Sequence, residues 1–379
     1  MPTASDLLHE PVLRWYADHA RDLPWRAPAA TPWGVLVSEV MLQQTPVARV
    51  LPVWQEWMQR WPVPGDLAAA PPADAVRHWG RLGYPRRALR LHAAAVAVRD
   101  RHSGALPDDH EALLALPGVG SYTAAAVAAF AFGRRHAVVD TNVRRVHARA
   151  VTGVAAAAPA LTVAETRLAA SLLPAAPARA ARWSVAVMEL GALVCTARSP
   201  GCDRCPLEPT CAWVSAGRPA STGAGRRPQT WTGSDRQARG RILSALRSAP
   251  GCLPATVLLS AARGLPSAAA PCPPPPRPPI LIPDPDAGPV AIPADGPGPA
   301  LLEAARTAAG GRAAVDGVGP AGDVSATEQT EQTEQTEQTK QAEQARRCLA
   351  SLAADGLVEP CPDRSCAGAG CWRLPAGTS

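Results

Sequence analysis

Lysine is almost absent from this chain, although arginine is abundant. The 379 residues include 38 lysine and arginine side chains together, and only one of them, Lys340, is a lysine. A lysine amine is the usual nucleophile that forms a Schiff base with a carbonyl carbon. The sequence therefore excludes lysine-based covalent catalysis from residues 1–339.

Long apolar runs are lacking as well. No segment approaches the ~18 consecutive apolar residues that a membrane-spanning helix needs. The N-terminal segment MPTASDLLHE is acidic and has no hydrophobic stretch of the kind found in secretory signal peptides. We therefore expect a cytoplasmic, nucleoid-associated protein that acts as a monomer and does not contact a membrane.

Charge is distributed unevenly along the chain. Residues 1–250 contain 29 arginines and 18 acidic residues, whereas residues 251–379 contain 9 basic and 14 acidic residues. A surplus of positive charge in one part of a chain favours a polyanionic partner, most simply DNA. A GC-rich coding bias toward arginine also contributes, so the surplus over acidic residues is the informative quantity.

Residues 1–217 are predicted to form one compact all-α domain, because apolar residues recur there at helical spacing and few segments alternate with period two. The clearest helix follows Thr31 and Pro32, an N-cap and a proline at the first helical position. Its apolar stripe consists of Trp33, Leu36, Val37, Val40 and Met41. Residues 218–234 are rich in Gly, Pro, Ser and Arg and indicate a linker.

A second, smaller module follows the linker. Residues 235–263 and 342–376 predict three helices and a two-stranded hairpin, which together make a winged-helix-like α+β module. Residues 264–341 between them are predicted to be a disordered low-complexity insertion, because a proline-rich segment and four TEQ repeats cannot form a core. The alternative for the repeats, Thr327 to Gln338, is an exposed helix without an apolar face.

Four cysteines close the first domain at the spacing Cys195-x6-Cys202-x2-Cys205-x5-Cys211. Thiolates grouped this tightly cannot all pair as disulfides without strain, but together they suit a [4Fe–4S] cluster or a zinc ion. Zinc knuckles usually contain two CxxC pairs and this run contains one, so the spacing favours the cluster, with structural zinc as the alternative. Such a site needs a compartment that keeps thiols reduced.

The other six cysteines show no metal-ligand spacing, and we expect them to be free surface thiols. A second site formed by Cys366 and Cys371 is the less favoured interpretation. The six are Cys252, Cys272, Cys348, Cys361, Cys366 and Cys371.

A glycine-containing segment, Leu116-Pro117-Gly118-Val119-Gly120, separates two apolar helical stretches. The glycines allow a sharp turn and a close approach to a phosphate, and the amide groups that open the second helix would point at the anion. Such a hairpin often also holds a monovalent cation on its carbonyls. An ordinary turn between two helices is the alternative.

Two carboxylates lie in motifs that suggest catalysis. Asp140, in VVDTNVRRV, is predicted to cap a helix, which is the common structural role of such an aspartate. Glu39, in SEVMLQQT, lies on an otherwise apolar helix, where a solvated edge position is the ordinary interpretation. A buried carboxyl with a raised pKa would instead be able to donate a proton. We interpret Arg144 and Arg145 as phosphate contacts or surface charges.

In combination, these segments resemble the helix-hairpin-helix, iron–sulfur DNA glycosylases, the group that includes endonuclease III and the adenine glycosylases. SEVMLQQT is similar specifically to the adenine glycosylases, and MELGALVC resembles the helix that enters the cluster loop. The resemblance covers residues 8–217. It implies a two-lobed helix-hairpin-helix fold with a [4Fe–4S] loop at 195–211 and an enzyme that acts on double-stranded DNA.

The resemblance also implies catalytic roles. Glu39 would protonate the departing adenine at N7 and then help to activate water, while Asp140 would stabilise the positive charge that develops on the sugar. Tyr122 occupies the position of the Schiff-base lysine of the bifunctional relatives, and it is expected to hydrogen-bond Asp140. A core tyrosine with a satisfied hydroxyl is the alternative.

Further roles implied by the resemblance concern DNA. Gln44 and Tyr84 would wedge into the duplex while the target base is flipped out. The extruded adenine would be contacted by Trp25, Arg26 and Glu189, although Glu189 also reads as a plain exposed helix residue. The DNA backbone would be bound by Gly118, Val119 and Gly120.

The sequence thus predicts a monofunctional glycosylase that removes adenine mispaired with 8-oxoguanine or guanine. One alternative is an endonuclease III-like enzyme for another damaged base. Another is a non-catalytic iron–sulfur, winged-helix DNA-binding regulator, which would give no reason for Glu39 and Asp140 to lie in full family motifs. The Nudix-like domain with which many adenine glycosylases recognise 8-oxoguanine is not recognisable here, so the oxidised-guanine preference is the least supported part.

Overall fold

The computed structural model describes residues 6–220, 230–266, 326–362 and 370–376, and within these ranges the protein is mainly helical. The α-helices of the first domain are α1 (Asp6–His19), α2 (Pro32–Leu42), α3 (Val47–Arg60), α4 (Pro64–Ala69), α5 (Pro72–Trp79), α6 (Arg86–Arg101), α7 (His110–Leu114), α8 (Ser121–Phe130), α9 (Thr141–Ala150), α10 (Val163–Ser171), α11 (Pro177–Leu193) and α12 (Ala212–Ser215). Short 3-10 helices cover Pro24–Arg26, Cys202–Arg204 and Glu208–Thr210. The C-terminal module contains α13 (Asp235–Ser248), β1 (Leu253–Pro254), α14 (Ala255–Arg263), α15 (Ala326–Ala354), β2 (Glu359–Pro360) and β3 (Cys371–Arg373).

The first domain has two lobes with separate cores. One core is formed by α2 to α8 and contains the fully buried Trp57 and Trp79. The other is formed mainly by α1, α9 and α11, around Trp183 and Val187. Helix α8 packs against both α2 and α11, and therefore lies between the lobes. The all-α, two-lobed architecture expected from the sequence is confirmed.

Helix α2 forms as its sequence predicts. The Thr31 side chain accepts a hydrogen bond from the Gly34 amide at 3.1 Å, and Pro32 occupies the first helical position. All residues from 33 to 41 are buried, including the predicted apolar stripe. The helix therefore has no solvent face along this stretch, and Glu39 is only 6% exposed. The ordinary interpretation of Glu39 as a solvated edge residue is wrong.

The C-terminal module is winged-helix-like, but it contains three strands rather than the predicted hairpin of two. Strand β3 lies in the middle of an antiparallel sheet, with β1 on one side and β2 on the other. In this register Leu253 faces Trp372, and Glu359 faces Arg373. Helices α13, α14 and α15 pack against one another around the fully buried Ile242, Leu258 and Leu352.

The TEQ repeats form the first half of α15, which begins at Ala326. The structure thus supports the alternative of an exposed helix for the repeats. The predicted disordered insertion, which ended at residue 341, therefore included residues that are helical. Side chains 332–340 are exposed, whereas Ala345, Leu349 and Leu352 are buried in the module. The helix is anchored by its C-terminal half. The remainder of the predicted insertion, residues 267–325, lies outside the described residues.

The expectation of free surface thiols in the module is wrong where the structure tests it. Cys252 and Cys361, next to strands β1 and β2, form a disulfide bond. Cys348 and Cys371 are buried rather than exposed. Cys272 and Cys366 lie outside the described residues. Of the second metal site considered above, only Cys371 is described.

None of the helices in the described ranges is long and apolar enough to cross a membrane.

The C-terminal module rests on the first lobe. Its buried residues are continuous with the core of that lobe, and the Arg247 guanidinium donates to the Val76 carbonyl at 3.0 Å. Arg86 at the start of α6 forms an ion pair of 3.1 Å with Asp355.

Gly191 sets the distance between α11 and the start of α9. A Cβ atom at this position would lie 2.7 Å from the Asn142 Cβ and 2.8 Å from the Asn142 carbonyl oxygen. Both distances are shorter than real Cβ contacts, and one of the two partners is backbone. A residue without a side chain is therefore required where α11 crosses α9.

We predict that Gly191→Ala destabilises the protein by about 1–3 kcal/mol, the range for overpacking a well-packed interior. Gly240→Ala is the matched control, because Gly240 is exposed in α13 and a Cβ there meets nothing within 4 Å. It should be neutral or stabilise by up to about 1 kcal/mol through helix propensity. Urea unfolding of the two variants measures the difference, and equal stabilities would contradict the close crossing.

Candidate active site

Glu39 and Tyr122 meet at the junction between the lobes. The Tyr122 hydroxyl donates a hydrogen bond of 2.9 Å to Glu39 Oε2, so it does not bond Asp140 as the sequence suggested. Burial raises the pKa of Glu39 to about 7; the Tyr122 hydrogen bond opposes this rise and the nearby negative charge of Asp140 adds to it. Burial also raises the pKa of Tyr122 well above its usual value. The pair therefore holds a proton near neutral pH.

Asp140 caps helix α9, as predicted. One carboxylate oxygen accepts the Val143 amide at 2.7 Å, and the other accepts the Asn142 side-chain amide at 2.7 Å. Burial raises the pKa of Asp140, while these hydrogen bonds from Val143 and Asn142 lower it. Its charge also acts on Glu39 and Tyr122, which places the two carboxylates in one site.

Glu189 is completely buried and is held by two arginines. Arg21 donates to both of its oxygens at 2.7 Å, and Arg26 donates to Oε2 at 3.0 Å. Burial alone would raise the pKa of Glu189, but the hydrogen bonds from these arginines outweigh it and lower the pKa to about 2. The alternative of a plain exposed helix residue is wrong. Trp25 is buried too, with its ring edge-to-face against Trp54.

The hairpin between α7 and α8 requires its first glycine. Gly118 has φ +76°, and a Cβ there would lie 2.6 Å from the Arg90 Cβ. Gly120 forms the N-cap of α8 without a side-chain cap, and a Cβ there would meet nothing within 4 Å. The N-terminal end of α8 therefore faces open space, as a binding site for an anion would.

Comparison with known proteins identifies the family. Residues 37–160 match the HhH-GPD superfamily of base excision DNA repair proteins. The chain is 56% identical over 241 residues to the adenine DNA glycosylase of Mycobacterium tuberculosis, an alignment that covers 63% of this chain and 78% of that protein. The chain belongs to the adenine DNA glycosylase family.

More distant relatives agree. The adenine DNA glycosylase of Homo sapiens is 42% identical over 208 residues, which cover 53% of this chain and 38% of the human protein. Among solved structures, a thermostable thymine-DNA glycosylase superposes with a TM-score of 0.50 and 27% identity, over 56% of this chain and 97% of that one. This glycosylase is thus a helix-hairpin-helix enzyme of base excision repair.

The four predicted ligand thiols of this glycosylase line one cavity. Cys195, Cys202, Cys205 and Cys211 surround it together with Arg149. Burial and the neighbouring thiols raise the pKa of Cys205 to about 11. Within the described ranges, no three His, Cys, Asp or Glu side chains are placed to hold a metal ion. The shared feature of the four thiols is therefore the cavity that they line.

Two arginines of α9 connect the catalytic region to this cysteine loop. Arg145 donates to the Asn142 side-chain oxygen at 2.7 Å and to the Cys195 carbonyl at 2.6 Å. Arg149 is 5% exposed and donates to the Cys195 sulfur at 3.4 Å and to the Thr196 carbonyl at 2.7 Å. Arg145 is therefore an internal brace, which corrects its interpretation as a surface charge.

Arg144 is likewise an internal brace rather than a surface charge. It donates to the carbonyl oxygens of Ala158 and Ala160 at 2.7 Å and forms an ion pair with Glu165 at 2.8 Å. These bonds hold the segment between α9 and α10 against α9.

The two predicted wedge residues share an unusual backbone conformation. Gln44 has φ +56° and Tyr84 has φ +46°, which are uncommon values for residues other than glycine. Their loops are tied together, because Thr45 donates to the Leu82 carbonyl at 3.3 Å and Arg87 donates to the Gln43 carbonyl. Such strain is typical of functional positions.

The structure thus brings Glu39, Tyr122, Asp140 and Arg26 into one site, with Glu189 fixed behind Arg26. Sequence reasoning missed Arg21, Asn142 and Arg149. Two signals were available: Arg21 directly precedes the DLPWR motif, and Arg149 follows Arg145 at the i, i+4 spacing that places both on one helix face.

The raised pKa of Glu39 predicts a pH-dependent stability. Folding favours the protonated carboxyl, so its contribution is fully present below pH 4.5 and is lost as the pH rises through about 7. Relative to Glu39→Gln, the wild-type protein should lose about 3 kcal/mol between these values. Urea unfolding of both proteins across this range measures the difference, and parallel pH profiles would show that Glu39 is not buried as described.

Proposed function

We propose that this glycosylase hydrolyses the N-glycosidic bond of adenine opposite 8-oxoguanine or guanine in double-stranded DNA, and that it leaves the strand uncut. The observation that carries the proposal is the buried Glu39, whose pKa of about 7 makes it a proton donor at neutral pH. The names of the relatives support adenine as the base.

In the proposed mechanism Glu39 gives its proton to N7 of the flipped adenine, which weakens the bond to the sugar. The Tyr122 hydroxyl, 2.9 Å from Oε2, orients the carboxyl and stabilises the carboxylate that remains. That carboxylate then takes a proton from the attacking water. Asp140 stabilises the oxocarbenium-like charge at C1′, and its hydrogen bonds from Asn142 and Val143 favour its ionised form.

Arg26 is suited to contact the extruded base. One of its terminal nitrogens is bonded to Glu189, while the other, Nη1, is buried and has no hydrogen-bond partner in the described part of the chain. A buried donor without a partner is costly unless a ligand provides an acceptor. Glu189 and Arg21 fix the orientation of Arg26, and the buried Trp25 forms part of the wall.

The DNA contacts we propose are those the family uses. The backbone of Gly118, Val119 and Gly120 with the N-terminus of α8 would bind a phosphate, helped by the helix dipole. We also predict that a monovalent cation binds the hairpin carbonyls. One carbonyl of this hairpin, that of Leu116, accepts a hydrogen bond from the Val119 amide at 3.1 Å. Gln44 and Tyr84 would enter the duplex in place of the flipped base.

We further propose that the four cysteines hold a [4Fe–4S] cluster. The four thiols line one cavity. Their spacing, with a single CxxC pair, favours the cluster over a structural zinc ion. When bound, the cluster would order the loop from 195 to 211. Arg149, buried beside Cys195, supplies a positive charge that compensates thiolate charge.

Glu39→Gln should reduce adenine release at least ~10²-fold, the usual contribution of general acid catalysis, because it removes the proton donor without adding bulk. Duplex affinity should remain nearly unchanged. Single-turnover release from duplexes with A opposite 8-oxoguanine, G, C or T measures the rate and also tests the opposite-base preference of the wild-type enzyme.

Glu10→Gln is the control, since Glu10 is an exposed glutamate of α1 paired only with Arg179. It should cleave at the wild-type rate. Wild-type activity in Glu39→Gln would refute the mechanism, and equal wild-type rates opposite all four bases would refute the proposed specificity.

The wild-type product should be an intact abasic strand that breaks only in alkali or heat, since residues 1–339 contain no lysine. Borohydride should trap little protein–DNA adduct. Tyr122→Lys should introduce trapping, because Tyr122 already lies at the site, while Ser171→Lys, at an exposed position on α10, should not. Efficient trapping by the wild-type protein would instead indicate lyase activity.

The purified protein should be brown and contain about four irons per chain. Cys202→Ser should lower the iron content, whereas Cys348→Ser, a buried cysteine of the C-terminal module, should retain it. Metal analysis after anaerobic preparation provides the measurement. One zinc per chain without iron would show that the site holds structural zinc instead of a cluster.

A further inference from the structure

The C-terminal module reaches the wedge residue Tyr84 through Arg236, near the start of α13. The Arg236 guanidinium donates to the Tyr84 hydroxyl at 3.4 Å, and its central carbon lies 5.7 Å from the ring centroid. The Arg87 guanidinium lies 4.6 Å from the same centroid. Tyr84 is therefore in contact with two arginines, one from each domain.

This contact lies on an exposed, positively charged surface. Tyr84 is 47% exposed, and Arg236 is exposed as well. The nearby carboxylates are already paired with other arginines: Asp355 with Arg86 and Arg239, and Asp235 with Arg347 at 3.8 Å. No carboxylate in the described residues pairs with Arg236, so its charge is available to a partner.

The packing of the module fixes this position. The Arg247–Val76 hydrogen bond and the Arg86–Asp355 ion pair attach the module to the first lobe on either side of the Tyr84 loop. Tyr84 has a left-handed backbone, and both guanidinium groups lie within 6 Å of its ring centroid. Arg236 is thus held beside the hydroxyl end of Tyr84, the part of a wedging side chain that enters a duplex first.

We propose that Arg236 contacts the base that stays in the duplex opposite the flipped adenine. This inference rests on the proposed function, because it uses the wedge role of Tyr84. A residue that fills the place of a flipped nucleotide lies next to the unpaired opposite base. The C-terminal module, although it is not Nudix-like, thereby forms part of the specificity site.

The chemistry of arginine sets the preferred base. A guanidinium group only donates hydrogen bonds, in a planar fork. On its major-groove edge guanine offers two acceptors, O6 and N7. In 8-oxoguanine N7 carries a proton, and the acceptors on this edge are O6 and O8. On the same edge cytosine presents an amino donor that arginine cannot match. Arg236 should therefore favour guanine-type bases over cytosine.

The test compares Arg236→Gln, Arg236→Lys and Arg241→Gln. Arg241 is an exposed arginine on the same helix that bonds the Ala262 carbonyl and not Tyr84. Two quantities are measured with each protein: single-turnover adenine release, and affinity for duplexes with a tetrahydrofuran abasic analogue. In each case the opposite base is 8-oxoguanine, G or C, and thermal unfolding verifies that the variants are folded.

We expect Arg236→Gln to lower the preference for guanine-type bases over cytosine at least about fivefold, the low end of one arginine–base contact. Arg236→Lys should lose part of the preference, since lysine keeps the charge but not the fork. Arg241→Gln should keep it. In a Tyr84→Ala background, Arg236→Gln should have little further effect, because the two side chains act together.

An unchanged preference in Arg236→Gln would overturn this inference. So would a uniform loss of affinity for all three duplexes, which indicates a phosphate contact. Failure of the proposed function gives a different result, namely no adenine release by the wild-type enzyme. The abasic-duplex affinities still test Arg236 in that case.

Discussion

The buried carboxyl of Glu39 is the constraint around which the site is built. Helix α2 is buried on all sides from residue 33 to 41, so the carboxyl is only 6% exposed, and it forms no ion pair within the described residues. Leaving such a group charged is expensive. The fold resolves this by raising the pKa of Glu39 and by providing one hydrogen bond, from Tyr122 on α8. Because α8 packs on both lobes, Glu39 lies where the lobes meet.

Arginine provides much of the internal bracing in this lysine-poor chain. The planar guanidinium fork bonds several acceptors at fixed angles, which an ammonium group does less well. Arg21 and Arg26 hold Glu189 from two directions, while Arg145 and Arg149 attach the cysteine loop to α9. Some of the arginines that suggested DNA binding therefore make contacts inside the protein. The exposed arginines are the ones relevant to DNA.

Much of the site was predictable because its chemistry resides in short, local motifs. Motifs pointed to Glu39, Asp140 and the four cysteines as candidates, and the local sequence predicted the Thr31 cap and the apolar stripe of α2. Partners distant in sequence could not: Tyr122 is 83 residues from Glu39 and Arg21 is 168 from Glu189. A motif shows which residues are used but not which ones they touch.

The errors in the C-terminal module have the same origin. Strand β1 contains two residues, one of them Pro254, which is too short for an alternating pattern. The Cys252–Cys361 disulfide joins residues 109 apart. The TEQ repeats have no apolar face, and their helix is instead continuous with a segment that packs through Leu349 and Leu352. In each case long-range packing decides a structure that the local sequence leaves open.

Asp140 shows how a structural role and a proposed catalytic role can depend on each other. Its cap bond to Val143 fixes one carboxylate oxygen, and Asn142 fixes the other. Asn142 is held in turn by Arg145, which is bonded to the Cys195 carbonyl. Gly191 allows α11 to approach this region closely enough for Arg145 to reach its backbone as well. Any displacement of the cysteine loop would therefore be transmitted to the carboxylate through two hydrogen-bonded side chains, which gives a loop distant from the scissile bond a physical route to the chemistry.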